Sequence, residues 1–232
     1  LTPGDSARPI HVVAGVVIDR RARMLIAQRP PGKHLAGGWE FPGGKLEPGE
    51  ARAVGLAREL SEEIGIAIDK PRPLMRLRHR YSHGEVLLDV WVVRRYRGEP
   101  RGLDGQALRW CRRAALATAN LLPADRPIID ALRLPECLRQ SATAAYEVSA
   151  IDDFSKIEAG RRAPRLRGVL CRDGDQAAAA AAAGADFVVL REALAHADLA
   201  ALCARVMAPV FARGVALERA WSLGASGVTA LA

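Results

Sequence analysis

From Ala51 to Ile64 the chain reads as an amphipathic helix. Ala53, Ala57, Leu60 and Ile64 gather on one face at helical spacing, while Glu59, Glu62 and Glu63 stand at i, i+3 and i+4 and share another. Gly65 is placed to stop the helix in a left-handed conformation. Ahead of it, Pro48-Gly49 suits the two central positions of a type II turn, and Gly43-Gly44 after Pro42 lets the backbone turn tightly. Like charges at those helical spacings cost about 0.2–0.5 kcal/mol per pair in water. Folding alone therefore does not favour the glutamate cluster. A bound cation would reverse the sign, and magnesium takes carboxylate oxygens while keeping phosphate oxygens and waters as its other ligands. For an isolated Glu-x-x-Glu-Glu, an ordinary solvated face is the alternative.

Extended runs surround this helix. His11–Ile18 and Leu25–Arg29 precede it, and Leu74–Ser82 and Val86–Tyr96 read as two strands joined around Gly84, the second rich in valine, leucine and tryptophan. On a strand His79, Tyr81 and His83 share one face, which suits a surface or nucleotide-facing role better than a helical metal pair. Further on the period changes. Short β-rich runs at 145–149, 166–171, 186–190, 209–212 and 228–231 alternate with helical stretches at 152–162, 177–183, 198–207 and 216–223, which predicts βα units with a parallel sheet.

Composition narrows the class. A chain of 232 residues, half of them hydrophobic, can bury a substantial core and divides naturally into two domains. The net charge of +8 comes from scattered arginines without an aromatic-interleaved basic stripe, so it predicts an anion-friendly surface and no nucleic-acid partner. Cys111, Cys137, Cys171 and Cys203 are widely spaced with no Cys-x-x-Cys, which points to reduced cytoplasmic thiols rather than a zinc site or a disulfide framework. The weakly polar stretch Gln176–Leu190 is broken by Asp186 and too short to span a bilayer, so no membrane partner is expected. The start at Leu1 leads us to expect that a few leading residues are missing.

The run from Gly44 through Lys45, Glu50 and Arg58-Glu59-Leu60-Ser61-Glu62-Glu63-Ile64-Gly65-Ile66 resembles a complete Nudix box, with every fixed position filled. A chance match in a chain of this length falls below roughly one in a million. The resemblance extends over Ile10–Pro135 and points to the MutT-type branch, through His11–Ile18, Leu25–Arg29, Trp39–Lys45 and Leu122–Ile129. It implies an α/β/α sandwich and magnesium, or alternatively manganese, as cofactor. It further implies Glu59, Glu62, Glu63 and the Gly43 carbonyl as metal ligands, with Asp104 as an additional one. Glu59, Glu62 and Glu63 would be catalytic, with Glu59 as the base. Arg29, His34, Phe41, Lys45 and Asp125 would contact substrate, and Glu50 and Arg58 would brace the loop against the helix. Asp125 stands where the bacterial prototype has an asparagine, and an ionised aspartate only accepts hydrogen bonds.

The implied activity is magnesium-dependent hydrolysis of a nucleoside triphosphate to monophosphate and pyrophosphate, with 8-oxo-dGTP as the expected substrate. ADP-ribose, NADH or dinucleoside polyphosphates form the rival substrate class, and a non-catalytic nucleotide-sensing regulator is the rival of another kind. Residues 136–143 read as a connector. Beyond it, in 144–232, Gly184–Leu190, Ala208–Gly214 and Gly224–Ala230 resemble the late strands of thiamine phosphate synthase, a TIM barrel. A complete barrel needs at least about 200 residues, so the expectation is a smaller, incomplete TIM-barrel-like βα domain, catalytically silent, that covers a sheet edge, docks on the hydrolase or forms a homodimer contact.

Overall fold

The computed structural model describes residues 9–82, 84–139, 144–151 and 165–231. The chain divides into two compact units, Leu1–Pro71 with Leu77–Asp125, and Arg72–Arg76 with Arg126–Ala232.

In the first unit, strands β1 (Ile10–Val17), β2 (Met24–Gln28), β3 (Trp39–Glu40) and β4 (Gly43–Lys45) precede helix α1 (Arg52–Ile64). After it come β5 (Ala67–Asp69), β6 (Arg72–Tyr81, of which Arg72–Arg76 count with the second unit), β7 (Gly84–Val93), β8 (Arg95–Arg97), β9 (Leu108–Cys111) and the short α2 (Arg113–Leu116). The architecture is mixed α/β. A four-stranded sheet runs in the order β4-β1-β7-β6, a three-stranded one β3-β2-β9, and β5 pairs with β8. Strand β1 is central: it pairs parallel with β7 from Ile10↔Val86 to Val17↔Val93, and antiparallel with β4 through Val13↔Gly44. Its residues Val13 and Val17 are fully buried and meet Leu56, Leu60 and Ile64 of α1.

The helix is rotated slightly from the sequence expectation. Ala53 is exposed and Ala57 only half-buried, while Gly55, Leu56, Leu60 and Ile64 form the buried stripe. Larger side chains gain more from leaving water than alanine does, so the stripe with i, i+4, i+8 spacing from Leu56 takes the core. Gly15 lets the helix approach closely, since a Cβ there would lie 2.8 Å from Leu60 Cδ1. Gly65 ends the helix at φ 70°, donating to Leu60 and Ser61 carbonyls.

A 3₁₀ turn at Pro123–Asp125 ends the first unit; the second continues with α3 (Arg126–Ala131), followed by β10 (Cys137–Leu138), β11 (Tyr146–Ala150) and β12 (Leu166–Cys171). Then α4 (Gly174–Ala182), β13 (Phe187–Leu190), α5 (His196–Arg205), β14 (Val210–Ala212), α6 (Leu217–Ser222) and β15 (Gly227–Thr229) alternate to the end. Six strands form one sheet, β10-β15-β14-β13-β12-β11, in which every pair is parallel. Strand β13 shows why its sequence is a continuous apolar run: Val188 and Leu190 enter one core with Leu199 and Leu202, while Phe187 and Val189 enter another with Phe211 and Leu138. Asp173 caps α4 by accepting from the Asp175 and Gln176 amides. Residues 136–143, expected as a connector, supply β10. The helix expected at 152–162 and the residue His83 lie outside the described residues. Among the described residues no helix is long and apolar enough to cross a membrane.

Candidate active site

The site is built where β4 passes into the turn before α1. Glu50 N–H donates to the Glu47 carbonyl at 3.1 Å and Gly49 has φ 77°, which is the type II turn expected of Pro48-Gly49. Arg58, about two helical turns further on, clamps this loop. Its guanidinium donates twice to Glu50, at 2.9 Å each, and at 3.1 Å to the Lys45 carbonyl. The same group donates to Glu59 and Glu62 at 2.9 and 3.1 Å. Arg58 holds the Glu50 carboxyl down at about 2 through these hydrogen bonds, helped by the Glu47 amide. Glu50 and Arg58 thus tie the loop to the helix.

Across the loop, Glu63 accepts from the Gly43 amide at 2.9 Å. Glu59 packs so tightly on the loop that a Cβ at Gly44 would overlap its carboxylate. A second loop closes the helix end. Leu103 N–H donates to the Glu63 carbonyl at 3.0 Å, and buried Gln106 bridges the Glu63 carbonyl and the Asp104 amide at 2.9 Å each. That bridge is what carries Asp104 to the site.

These elements wall a cavity of about 710 Å³. Of the residues singled out in the sequence, Arg29, His34, Gly43, Lys45, Glu59, Glu62, Glu63 and Asp104 line it, as does Lys33. Two others do not. Phe41 is 3% and Asp125 4% exposed, both buried beneath the wall. Among the described residues, no group of three His, Cys, Asp or Glu side chains is close enough to hold an ion. Arg58 and the Gly43 amide hold the carboxylates of the three glutamates instead.

Electrostatics concentrate on the inner end. Burial pushes the Glu63 carboxyl up to about 7, against the Gly43 amide and with Glu40 and Glu59 adding to the rise. Burial also raises Glu40, opposed by Arg29 and Lys33. Asp125 is lifted well above the carboxylate range by burial and by Glu40, against the pull of Arg29 and the Phe41 amide. Tyr81 is raised by burial, with Asp125 adding to it.

Sequence reasoning missed Glu40 and the Gln106 bridge. The register Gln28↔Trp39 and Ala27↔Glu40 between β2 and β3 brings Arg29 and Glu40 into an ion pair of 3.1 Å, and pairing of this kind has no local sequence signal. Tyr81 stacks edge-on with His34 and His79, with ring centroids 5.8 and 4.4 Å apart. Also unforeseen was buried Asp89 on β7, which joins His11 of β1 to Arg52 at the start of α1, the arginine at 2.9 Å. The four cysteines are free.

Comparison with known proteins places this geometry. The chain is 31% identical over 126 residues to an 8-oxo-dGTP diphosphatase of Escherichia coli (strain K12), covering 54% of this chain and 98% of that protein. It is 38% identical over 122 residues to a CTP pyrophosphohydrolase of the same organism, covering 53% and 90%. The solution structure of the E. coli ORF135 protein superimposes with a TM-score of 0.50 at 36% identity, covering 56% of this chain and 93% of that one. A family model described as NUDIX domain matches residues 13–131, from the central strand through α3 and across the whole carboxylate loop and helix. The chain therefore belongs to the NUDIX domain family and is a hydrolase acting on phosphorus-containing anhydrides.

Proposed function

We propose that the chain hydrolyses a nucleoside triphosphate to the monophosphate and pyrophosphate with magnesium, and that an oxidised guanine nucleotide such as 8-oxo-dGTP is its substrate. One observation carries the reading: a single cavity sets the glutamates of α1 and Asp104 opposite Arg29, Lys33 and Lys45. That combination suits a phosphate chain held between cations and a carboxylate-bound metal. The donor set is all oxygen, the chemistry a hard divalent ion takes, and Glu59, Glu62, Glu63, Asp104 and the Gly43 carbonyl are the residues that would hold it once the carboxylates leave Arg58 and the Gly43 amide. When bound, such an ion neutralises phosphate oxygens and makes water more acidic.

The protein's own groups supply the rest. Arg29, Lys33 and Lys45 take up charge on the phosphates, and Glu59 accepts the proton from the attacking water. Asp125, covered by the cavity wall, would read the base once nucleotide binding exposes it. Burial favours its protonated form, and a protonated carboxyl both donates and accepts, as the carbonyl and N–H edge of an oxidised guanine requires. The 31% identical 8-oxo-dGTP diphosphatase supports this substrate. The 38% identical CTP pyrophosphohydrolase supports a second reading, a pyrimidine triphosphate.

A nucleotide panel with magnesium separates them. Turnover of 8-oxo-dGTP well above dGTP and CTP is expected; preferred turnover of CTP would replace the substrate. Tight binding of nucleotides without any turnover would overturn the catalytic reading. Glu59→Gln should lower kcat by about 10²–10⁴-fold with an unchanged circular dichroism spectrum, the range of a positioned base. A near-normal rate in that variant would remove Glu59 from the role.

A further inference from the structure

The first unit carries a second cleft, of about 730 Å³, that shares no lining residue with the carboxylate cavity. Strand β1 separates the two: Val12 lines one and Ile18 the other, and six residues of extended chain span about 20 Å. Six arginines line this cleft, Arg20, Arg21 and Arg23 on one side and Arg94, Arg95 and Arg97 on the other, against the two carboxylates of Asp19 and Asp69.

Both carboxylates are engaged. Asp19 accepts from the Arg21 and Arg23 amides at 2.9 and 2.8 Å and from Arg23 Nε at 2.7 Å, which shapes the turn between β1 and β2. Asp69 pairs with Arg95 at 2.5 Å. Among the described residues, Arg20, Arg21, Arg94 and Arg97 have no carboxylate partner, and all four are exposed. Four like charges around one concavity repel over a Debye length of about 8 Å, and a multiply charged anion turns that repulsion into attraction. Guanidinium forks match phosphate oxygens two at a time. The cleft is of the size that holds small ligands. Its aromatic residue, Tyr96, packs its ring against the core around α1, so the cleft offers charge and no stacking platform.

We infer that this cleft binds a run of neighbouring phosphate groups without reading a base. The phosphates can belong to a free polyphosphate or to the backbone of a single-stranded nucleic acid.

The test measures equilibrium binding of the full chain, without divalent metal, to inorganic triphosphate and to a twelve-residue oligodeoxythymidylate. The triple variant Arg20→Ser/Arg94→Ser/Arg97→Ser should bind the recognised probe at least tenfold more weakly while its nucleotide hydrolysis stays within twofold of wild type. Binding of triphosphate assigns a free polyphosphate; binding of the oligonucleotide alone, with an affinity that falls steeply with salt, assigns the nucleic-acid backbone. Should the triple variant lose its thermal transition, the single variant Arg20→Glu replaces it. Failure of wild type to bind either probe, or binding that the substitutions leave unchanged, overturns the inference whatever nucleotide the enzyme hydrolyses.

Discussion

At the scale of single residues, the site is governed by what burial does to carboxyl groups. Glu63 is raised to about 7. Between the ordinary carboxylate range and that value the unfolded chain is ionised while the folded one keeps its proton, so the metal-free protein should lose stability as pH rises from about 4.5 to 7. The loss is bounded at about 3 kcal/mol by the 1.4 kcal/mol per unit relation. Thermal melts in chelator should show this slope, Glu63→Gln should flatten it, and magnesium should restore stability near pH 7 by favouring the ionised form. A slope unchanged in Glu63→Gln would refute the assignment. Asp125 shows how far context can turn a residue's meaning. Read as an ionised aspartate it only accepts; burial, with Glu40 adding to it, shifts the group toward the protonated form, which donates and accepts as an asparagine does. Asp125→Asn should therefore preserve the ratio of kcat/KM for 8-oxo-dGTP over dGTP within about threefold. Asp125→Ala should reduce it about 10- to 100-fold, the worth of one or two buried hydrogen bonds. Equal ratios in both variants would show that Asp125 does not read the base.

At the scale of elements, one helix and two loops wall the cavity; Arg58 ties the helix to the first loop and Gln106 ties it to the second. The Arg58 side chain reaches Glu50, Glu59, Glu62 and the Lys45 carbonyl. A lysine carries the charge but not the planar fork. Arg58→Lys is expected to lower kcat about tenfold while the circular dichroism spectrum is unchanged, because the buried stripe Leu56, Leu60 and Ile64 still seats the helix. An unaltered kcat would show that the brace is dispensable to turnover. This level was partly open to reading from the chain. The turn at Pro48-Gly49, the glutamate face and the Gly65 stop each rest on neighbours within a few positions. Which apolar stripe faced inward was misjudged by a small rotation, since alanines and leucines both fit a helical period and only the opposing strand with Gly15 chooses between them.

At the scale of the whole molecule, the family match ends at residue 131 and the parallel six-stranded sheet begins at β10. A chain ending at Pro135 keeps every matched residue. Its kcat/KM should lie within about threefold of the full chain; a drop of a hundredfold would make the second unit a participant in the reaction. The alternation of apolar and helical runs after residue 144 announced βα units, and the sheet is parallel in each of its five pairings.

Local order in the chain was enough to determine the turn at Pro48-Gly49, the helix and its glutamate cluster, because each rests on spacing between near neighbours in the sequence. Only the tertiary structure decided that Glu40 meets Arg29, that Gln106 carries Asp104 to the helix end, that Asp89 joins His11 to Arg52, and that Asp125 lies beneath the wall rather than in it. Those pairings are set by strand register and desolvation, which depend on chain segments far apart in sequence and leave no local pattern to read.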